Sequence, residues 1–304
     1  MSMRISQLAF TADETYLILS AESGGGLAVY EVDSLLQGST NTAFELPTGG
    51  ESLRILIPNP TPEKAELCAI VTTSGNLHMA NLKERQLSNP LKAQVSCVSW
   101  SAKGKQLCAG LGDGTIHQMT PEGEAKAEIP KPPTLGDCHV SSLTWLENNL
   151  FLSIHGLAND SSSVYHIITR ESASSFSFQK LADPVEPFGA DKPPQHNILR
   201  LRDFPPELQD LLIVSSTASS DIGLLSRSKT PLTTDQPANL ITGVFTTTEL
   251  LDDTKRPTLP MTDSMEDSVP VGVALDLSSK EKVYRPIPAD EELRESATPL
   301  PGLS

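Results

Sequence analysis

Nowhere does this 304-residue chain approach the ~18–20 consecutive apolar residues that cross a bilayer. Asp13 and Glu14 interrupt the only N-terminal stretch that could imitate a signal peptide. The sequence is therefore expected to be soluble, with no membrane partner. Cysteine is scarce: Cys68, Cys97, Cys108 and Cys138 form no CxxC pair and no dense framework. Scattered cysteines fit a reducing compartment, where they act as small buried hydrophobes. One glycosylation sequon, Asn159-Asp160-Ser161, is present, but a three-residue match is common by chance and nothing else points to secretion. Apolar residues make up 38%, below the ~45–50% of ordinary globular chains, while 24 prolines and 19 glycines indicate many short connections.

Positive charge is also short, with 23 Lys and Arg against 38 Asp and Glu, a net charge of −15. Nucleic acids and anionic lipids are bound chiefly through Lys and Arg, so direct nucleic-acid binding is not expected and a basic protein partner fits better. The motifs of catalysis are missing as well. There is no GxSxG elbow, no GxxxxGK[ST] phosphate loop and no GxGxxG leading into a helix. His78, His117, His139, His155, His166 and His196 show no HxH or HExxH spacing, and isolated histidines on strands read as structural. No cofactor, metal or catalytic residue is assigned.

What is present is a repeat. Its clearest copy, VSCVSWSAKGKQLCAGLGDGTIHQM at residues 95–119, reads as strand, polar turn, strand, hairpin, strand. Strict alternation places Val95, Cys97 and Ser99 on one face and Val98 and Trp100 on the other. Gly112-Asp113-Gly114 supplies the positive φ that tight hairpins need, and Gly24-Gly25-Gly26 is read as another hairpin. Related copies give units at residues 5–33, 53–83, 95–120, 142–169 and 197–228. Their starts lie roughly 40–55 residues apart, the period of four-stranded propeller blades. Trp100 and Trp145 end the first strands of successive units, as residues packed between blades would. Tyr165 and Phe188 receive no role.

The expected architecture is thus an all-β propeller of about five blades over residues 1–285, antiparallel throughout, followed by a Pro- and Glu-rich disordered tail at 286–304. A strand at Val271–Leu277 opens a sixth unit that does not continue. Residues 183–196 and 228–262 read as long connections. The acidic pairs Asp252-Asp253, Glu266-Asp267 and Glu291-Glu292 each read singly as solvated loop. The first two flank Lys255-Arg256 and a tract leading into a strand, an arrangement suited to recognising a complementary protein surface.

Two tracts, CVSWSAKGKQLCAGLGDGTI and LPMTDSMEDSVPVGVALD, resemble the N-terminal propeller of the cytoplasmic-filament FG nucleoporins. The second is the more specific, because no fold requirement sets the spacing of Thr262, Asp263, Asp267, Ser268, Pro270 and Gly272. Weaker similarity runs from about Ile5 to Val283, and Ala102 stands where the family usually has proline. The family propeller has seven blades, so the resemblance implies an incomplete ring. It also implies docking of the N-terminal RecA-like half of a DEAD-box mRNA-export helicase at the cytoplasmic face of the nuclear pore complex, in competition with RNA. Other nucleoporins would be met through regions outside this chain. Carried onto this sequence, the partner-binding residues are Arg256, Asp263 and Asp267, supported by Glu266 and Asp253. The alternative readings are a generic WD40-like scaffold in another assembly and a propeller hydrolase with His and carboxylates at a central channel.

Overall fold

The computed structural model describes residues 4–158, 162–187, 193–231, 242–250, 252, 256–284 and 294–303. It divides into two compact units, Met1–Ala182 and Asp183–Ser304.

The first unit holds four antiparallel four-stranded sheets, each laid down in sequence order. Sheet 1 is β1 (Ile5–Phe10), β2 (Tyr16–Ala21), β3 (Leu27–Glu31) and β4 (Phe44–Leu46), with a short helix, α1 (Val32–Leu36), between the last two. Sheet 2 is β5 (Leu53–Pro58), β6 (Leu67–Thr72), β7 (Leu77–Asn81) and β8 (Gln86–Leu87). Sheet 3 is β9 (Val95–Trp100), β10 (Leu107–Leu111), β11 (Ile116–Met119) and β12 (Ala125–Ile129). Sheet 4 is β13 (Cys138–Glu147), β14 (Leu150–Leu157), β15 (Ser163–Arg170) and β16 (Phe176–Leu181). The second unit holds sheet 5, built from β17 (His196–Arg202), β18 (Leu208–Ser216), β19 (Gly223–Ser228) and β20 (Phe245–Thr248).

The first three strands of every sheet coincide with the five units read from the sequence, except that β13 begins at Cys138, four residues ahead of its unit. The fourth strands fall between or beyond those units, and only β20 lies in a stretch read as a connection, 228–262. These strands are short and half-exposed, as in AKAEI of β12, and so lack the apolar alternation that marks a strand in sequence.

Three apolar cores fill the gaps between consecutive sheets of the first unit. Ile18 and Val29 meet Leu56 and Ile70 between sheets 1 and 2. Val71 and Leu77 meet Val98 and Trp100 between sheets 2 and 3, and Cys108 and Ile116 meet Trp145 and Phe151 between sheets 3 and 4. Both tryptophans thus occupy the predicted inter-sheet positions. Trp100 Nε1 also donates to the Ile57 carbonyl of sheet 2 (3.1 Å), and the Trp145 amide donates to Ser99 Oγ of sheet 3 (3.0 Å). All four cysteines are free and buried, and Tyr165 is fully buried. Gly110 of β10 leaves room for β9 of its own sheet and β13 of sheet 4: a Cβ there would stand 2.6 Å from Cys97 Sγ and 2.7 Å from Val140 Cβ.

The first strands of sheets 1 to 4 each carry one extra residue near their start. The pairings leave Ser6, Arg54, Ser96 and Ser141 bulged. Two of these side chains reach the following sheet at matching places: Arg54 Nη2 donates to the Val95 carbonyl, and Ser96 Oγ donates to the Val140 carbonyl at 2.5 Å. A bulge reverses the alternation beyond it. Val95 consequently lies with Val98 and Trp100 while Cys97 faces sheet 4, which corrects the strict alternation read for β9.

The predicted strand at Val271–Leu277 also requires correction. Only β21 (Leu275–Asp276) forms, paired with β22 (Gly302–Leu303), and Val271 is 94% exposed. Pro270 and Gly272 break the run, and residues 271–274 find no neighbouring strand to pair with. The segment expected to be a disordered tail is described at 294–303, where Ser296 is buried and exchanges hydrogen bonds with Val283.

Candidate partner-binding site

The loop singled out in the sequence begins on the turn between β18 and β19. Ile222 N–H donates to the Pro257 carbonyl (2.9 Å), Leu259 N–H donates to the Ser220 carbonyl (2.9 Å), and Asp221 pairs antiparallel with Thr258. Arg256 Nη1 stands 3.5 Å from Asp221 Oδ2. With the arginine half-exposed, such a contact contributes little to stability and mainly orients the side chain. At the far end Leu275 packs on the core of sheet 5 formed by Leu201, Ile213 and Ile222. The loop is therefore fixed at both ends to one sheet.

Between these anchors the chain folds into a tight reversal. Thr262 N–H donates to the Glu266 carbonyl, and Met265 N–H donates to the Thr262 carbonyl, both at 2.9 Å. Thr262 Oγ1 accepts from the Glu266 amide (3.1 Å) and lies 2.9 Å from Ser264 Oγ. Asp263, Glu266 and Asp267 are all exposed on or beside this turn. The structure thus brings Asp263 and Glu266 onto one five-residue turn with Asp267 next to it. Arg256 sits at the loop's base against Asp221. Asp253 and its neighbour Lys255 lie outside the described residues. Three carboxylates held on a short backbone with little shielding present a fixed negative field to a basic surface.

A cavity of about 450 Å³ opens among the first strands of sheets 2 to 4, lined in part by Arg54, Gln94, Ser96, Asp113 and His139. Arg54 and Ser96 there bond to backbone carbonyls of the next sheet. Asp113 accepts from the Thr115 hydroxyl and amide, which hold its carboxyl below the usual carboxylate range. Among the described residues no three His, Cys, Asp or Glu side chains stand together in a way that could hold a metal ion.

Sequence reading missed two features. One is Met265, whose left-handed backbone and exposure leave no mark in the residue order of an acidic tract. The other is a buried cluster in sheet 5, where Asp210 accepts from Arg200 Nε and Arg227 Nε at 2.8 Å each. An aspartate inside the apolar run LQDLLIV was its only visible signal.

Five antiparallel four-stranded meanders, each feeding the next, are the blades of a β-propeller. The chain belongs to the NUP159/214 β-propeller family, whose model matches residues 1–304. It is 65% identical to Nucleoporin NUP159 of Chaetomium thermophilum over 99% of its own length and 21% of that protein. Identity to human Nuclear pore complex protein Nup214 is 24%, over 93% of this chain and 14% of that one. The chain therefore spans only about a fifth and a seventh of the length of these curated relatives. Among solved structures, a complex of S. cerevisiae Dbp5 bound to Nup159, Gle1, IP6 and ADP matches with a TM-score of 0.67 at 18% identity, covering 91% of this chain and 70% of that one. The N-terminal domain of Nup159 matches with a TM-score of 0.66 at 19% identity, covering 90% and 70%.

Proposed function

We propose that this nucleoporin propeller is a non-enzymatic docking platform at the cytoplasmic face of the nuclear pore complex. Its partner is the N-terminal RecA-like half of a DEAD-box mRNA-export helicase, bound through Arg256 and the Asp263–Asp267 turn in competition with RNA. The observation that carries this reading is the acidic turn itself, exposed yet fixed at both ends to sheet 5. A net charge of −15 agrees in sign with a basic partner surface, and the solved complex of a structural relative with Dbp5 supports the choice of partner. Competition with RNA follows if the helicase uses the same basic surface for both ligands.

The test is Asp263→Lys combined with Asp267→Lys in the complete protein, titrated with helicase by calorimetry at two salt concentrations. Removing one partner of a desolvated charge pair costs ~2–5 kcal/mol, and each ~1.4 kcal/mol is tenfold in affinity. The expected result is a loss of more than tenfold at low salt, with a flatter salt dependence, and wild-type binding that single-stranded RNA displaces. Unchanged affinity would remove the site assignment. Recovery of other pore proteins with no helicase would favour a general scaffold.

A further inference from the structure

Met265 occupies the residue of the 262–266 turn that has left-handed backbone, φ 63. In a short hairpin of this form, a turn closed by a left-handed residue, that slot ordinarily holds glycine, because a Cβ is disfavoured there. Here it holds a long apolar side chain that is 78% exposed. No internal packing accounts for it. Within the same loop Met261 is 59% exposed, Val269 45% and Val271 94%, while elsewhere the strands of the five sheets mostly bury their apolar side chains. An unfavourable backbone conformation that displays an apolar tip at a fixed place is the kind of feature found at binding surfaces. Flexible, polarisable methionine suits a pocket of imperfect shape.

From this arrangement we infer that Met265 is the apolar anchor of the docking turn, inserting into a hydrophobic pocket on the partner whose rim is basic. Asp263, Glu266 and Asp267 form the charged ring around it and steer the encounter, while the methionine slows dissociation once seated. Interfaces commonly divide the work in this way, with a buried apolar centre supplying most of the affinity and rim charges supplying approach and orientation. The inference rests on the helicase-docking reading and deepens it: the partner must offer an apolar pocket, and a basic patch alone is insufficient.

The test uses Met265→Gly and Met265→Leu in the complete protein, with binding to the helicase followed by calorimetry and surface plasmon resonance. Glycine relieves the left-handed backbone, so Met265→Gly is expected to melt at or above the wild-type temperature, which removes misfolding as an explanation. Its affinity is expected to fall about tenfold or more, mostly in the dissociation rate, with the salt dependence of wild type. Met265→Leu keeps apolar volume and is expected to bind within about threefold of wild type. Wild-type affinity in Met265→Gly, while the Asp263 and Asp267 reversal still weakens binding, overturns the anchor and leaves the docking site intact. Equal losses in the glycine and leucine variants also overturn it. Absence of helicase binding by the wild-type protein overturns the docking reading and the anchor with it.

Discussion

His155 is fully buried on β14, with Nε2 3.2 Å from the Gly114 carbonyl of sheet 3. A carbonyl only accepts, so the neutral ring carries its proton on Nε2 and donates. Among the described residues its Nδ1 is buried without a hydrogen-bond partner, as is Nδ1 of His166, whose ring stands edge-on at 6.0 Å. Among those residues a proton added to either Nδ1 would find no acceptor. Burial accordingly pushes His155 down to about 4, helped by the nearby His166 and His139, and lowers His166 too, with Lys180 adding to the effect. Both groups bind protons more readily in the unfolded chain, so stability is full above about pH 6.5 and declines as pH falls towards about 4. His155, the more strongly shifted of the two, contributes on the order of 3 kcal/mol to this loss. Urea midpoints should therefore fall between pH 7.5 and pH 5. His155→Gln should flatten that slope, and an unchanged slope would mean that this ring does not govern it.

At the scale of the element, irregularities in strands place the informative side chains. In β18 the pairing steps from Leu208↔Ser228 to Asp210↔Arg227, leaving Gln209 extra and turning Asp210 inward, where it is 1% exposed. Arg200 and Arg227 grip one carboxylate oxygen each, and Arg227 lies 5.1 Å over the Phe245 ring of β20. Removing the carboxylate takes away the one anion that both guanidinium groups share in sheet 5. Asp210→Ala should cost about 3–5 kcal/mol, read as a lower denaturant midpoint. The 262–266 turn behaves in the opposite manner. Its carboxylates are exposed, so the double charge reversal should change stability by about 0.5 kcal/mol or less while weakening helicase binding more than tenfold. A large drop in melting temperature for that variant would show that the loop supports the fold.

At the scale of the molecule, the two faces of sheet 1 have different fates. Ala9, Ile18 and Val29 share the face packed against sheet 2. Leu8, paired with Leu19, and Phe10, paired with Leu17, point the other way and are 58% and 53% exposed. An uncovered apolar sheet face is an association site. The 304-residue chain by itself should therefore self-associate in size-exclusion chromatography with light scattering. Leu8→Thr with Phe10→Thr, which keeps strand propensity, should reduce the effect. A wild-type monomer with one cooperative melt would contradict this.

Sequence alone determined the strand repeat, because alternating apolar residues and glycine hairpins such as Asp113-Gly114 are local signals that the chain carries wherever it folds. It also determined the tryptophan positions and the acidic loop. The fourth strands, the bulges at Ser6, Arg54, Ser96 and Ser141, and the inward turn of Asp210 were decided by tertiary structure. Each depends on which neighbour a strand meets: a polar edge strand such as β12 is stabilised by pairing with β11, and a single extra residue is placed by the register of two strands together. Val271–Leu277 shows the converse, since its alternation was legible and yet residues 271–274 stayed outside any sheet for want of a partner. Met265 could be read as a letter in TDSME, but its left-handed backbone and exposed tip exist only once Thr262 and Glu266 close the turn around it.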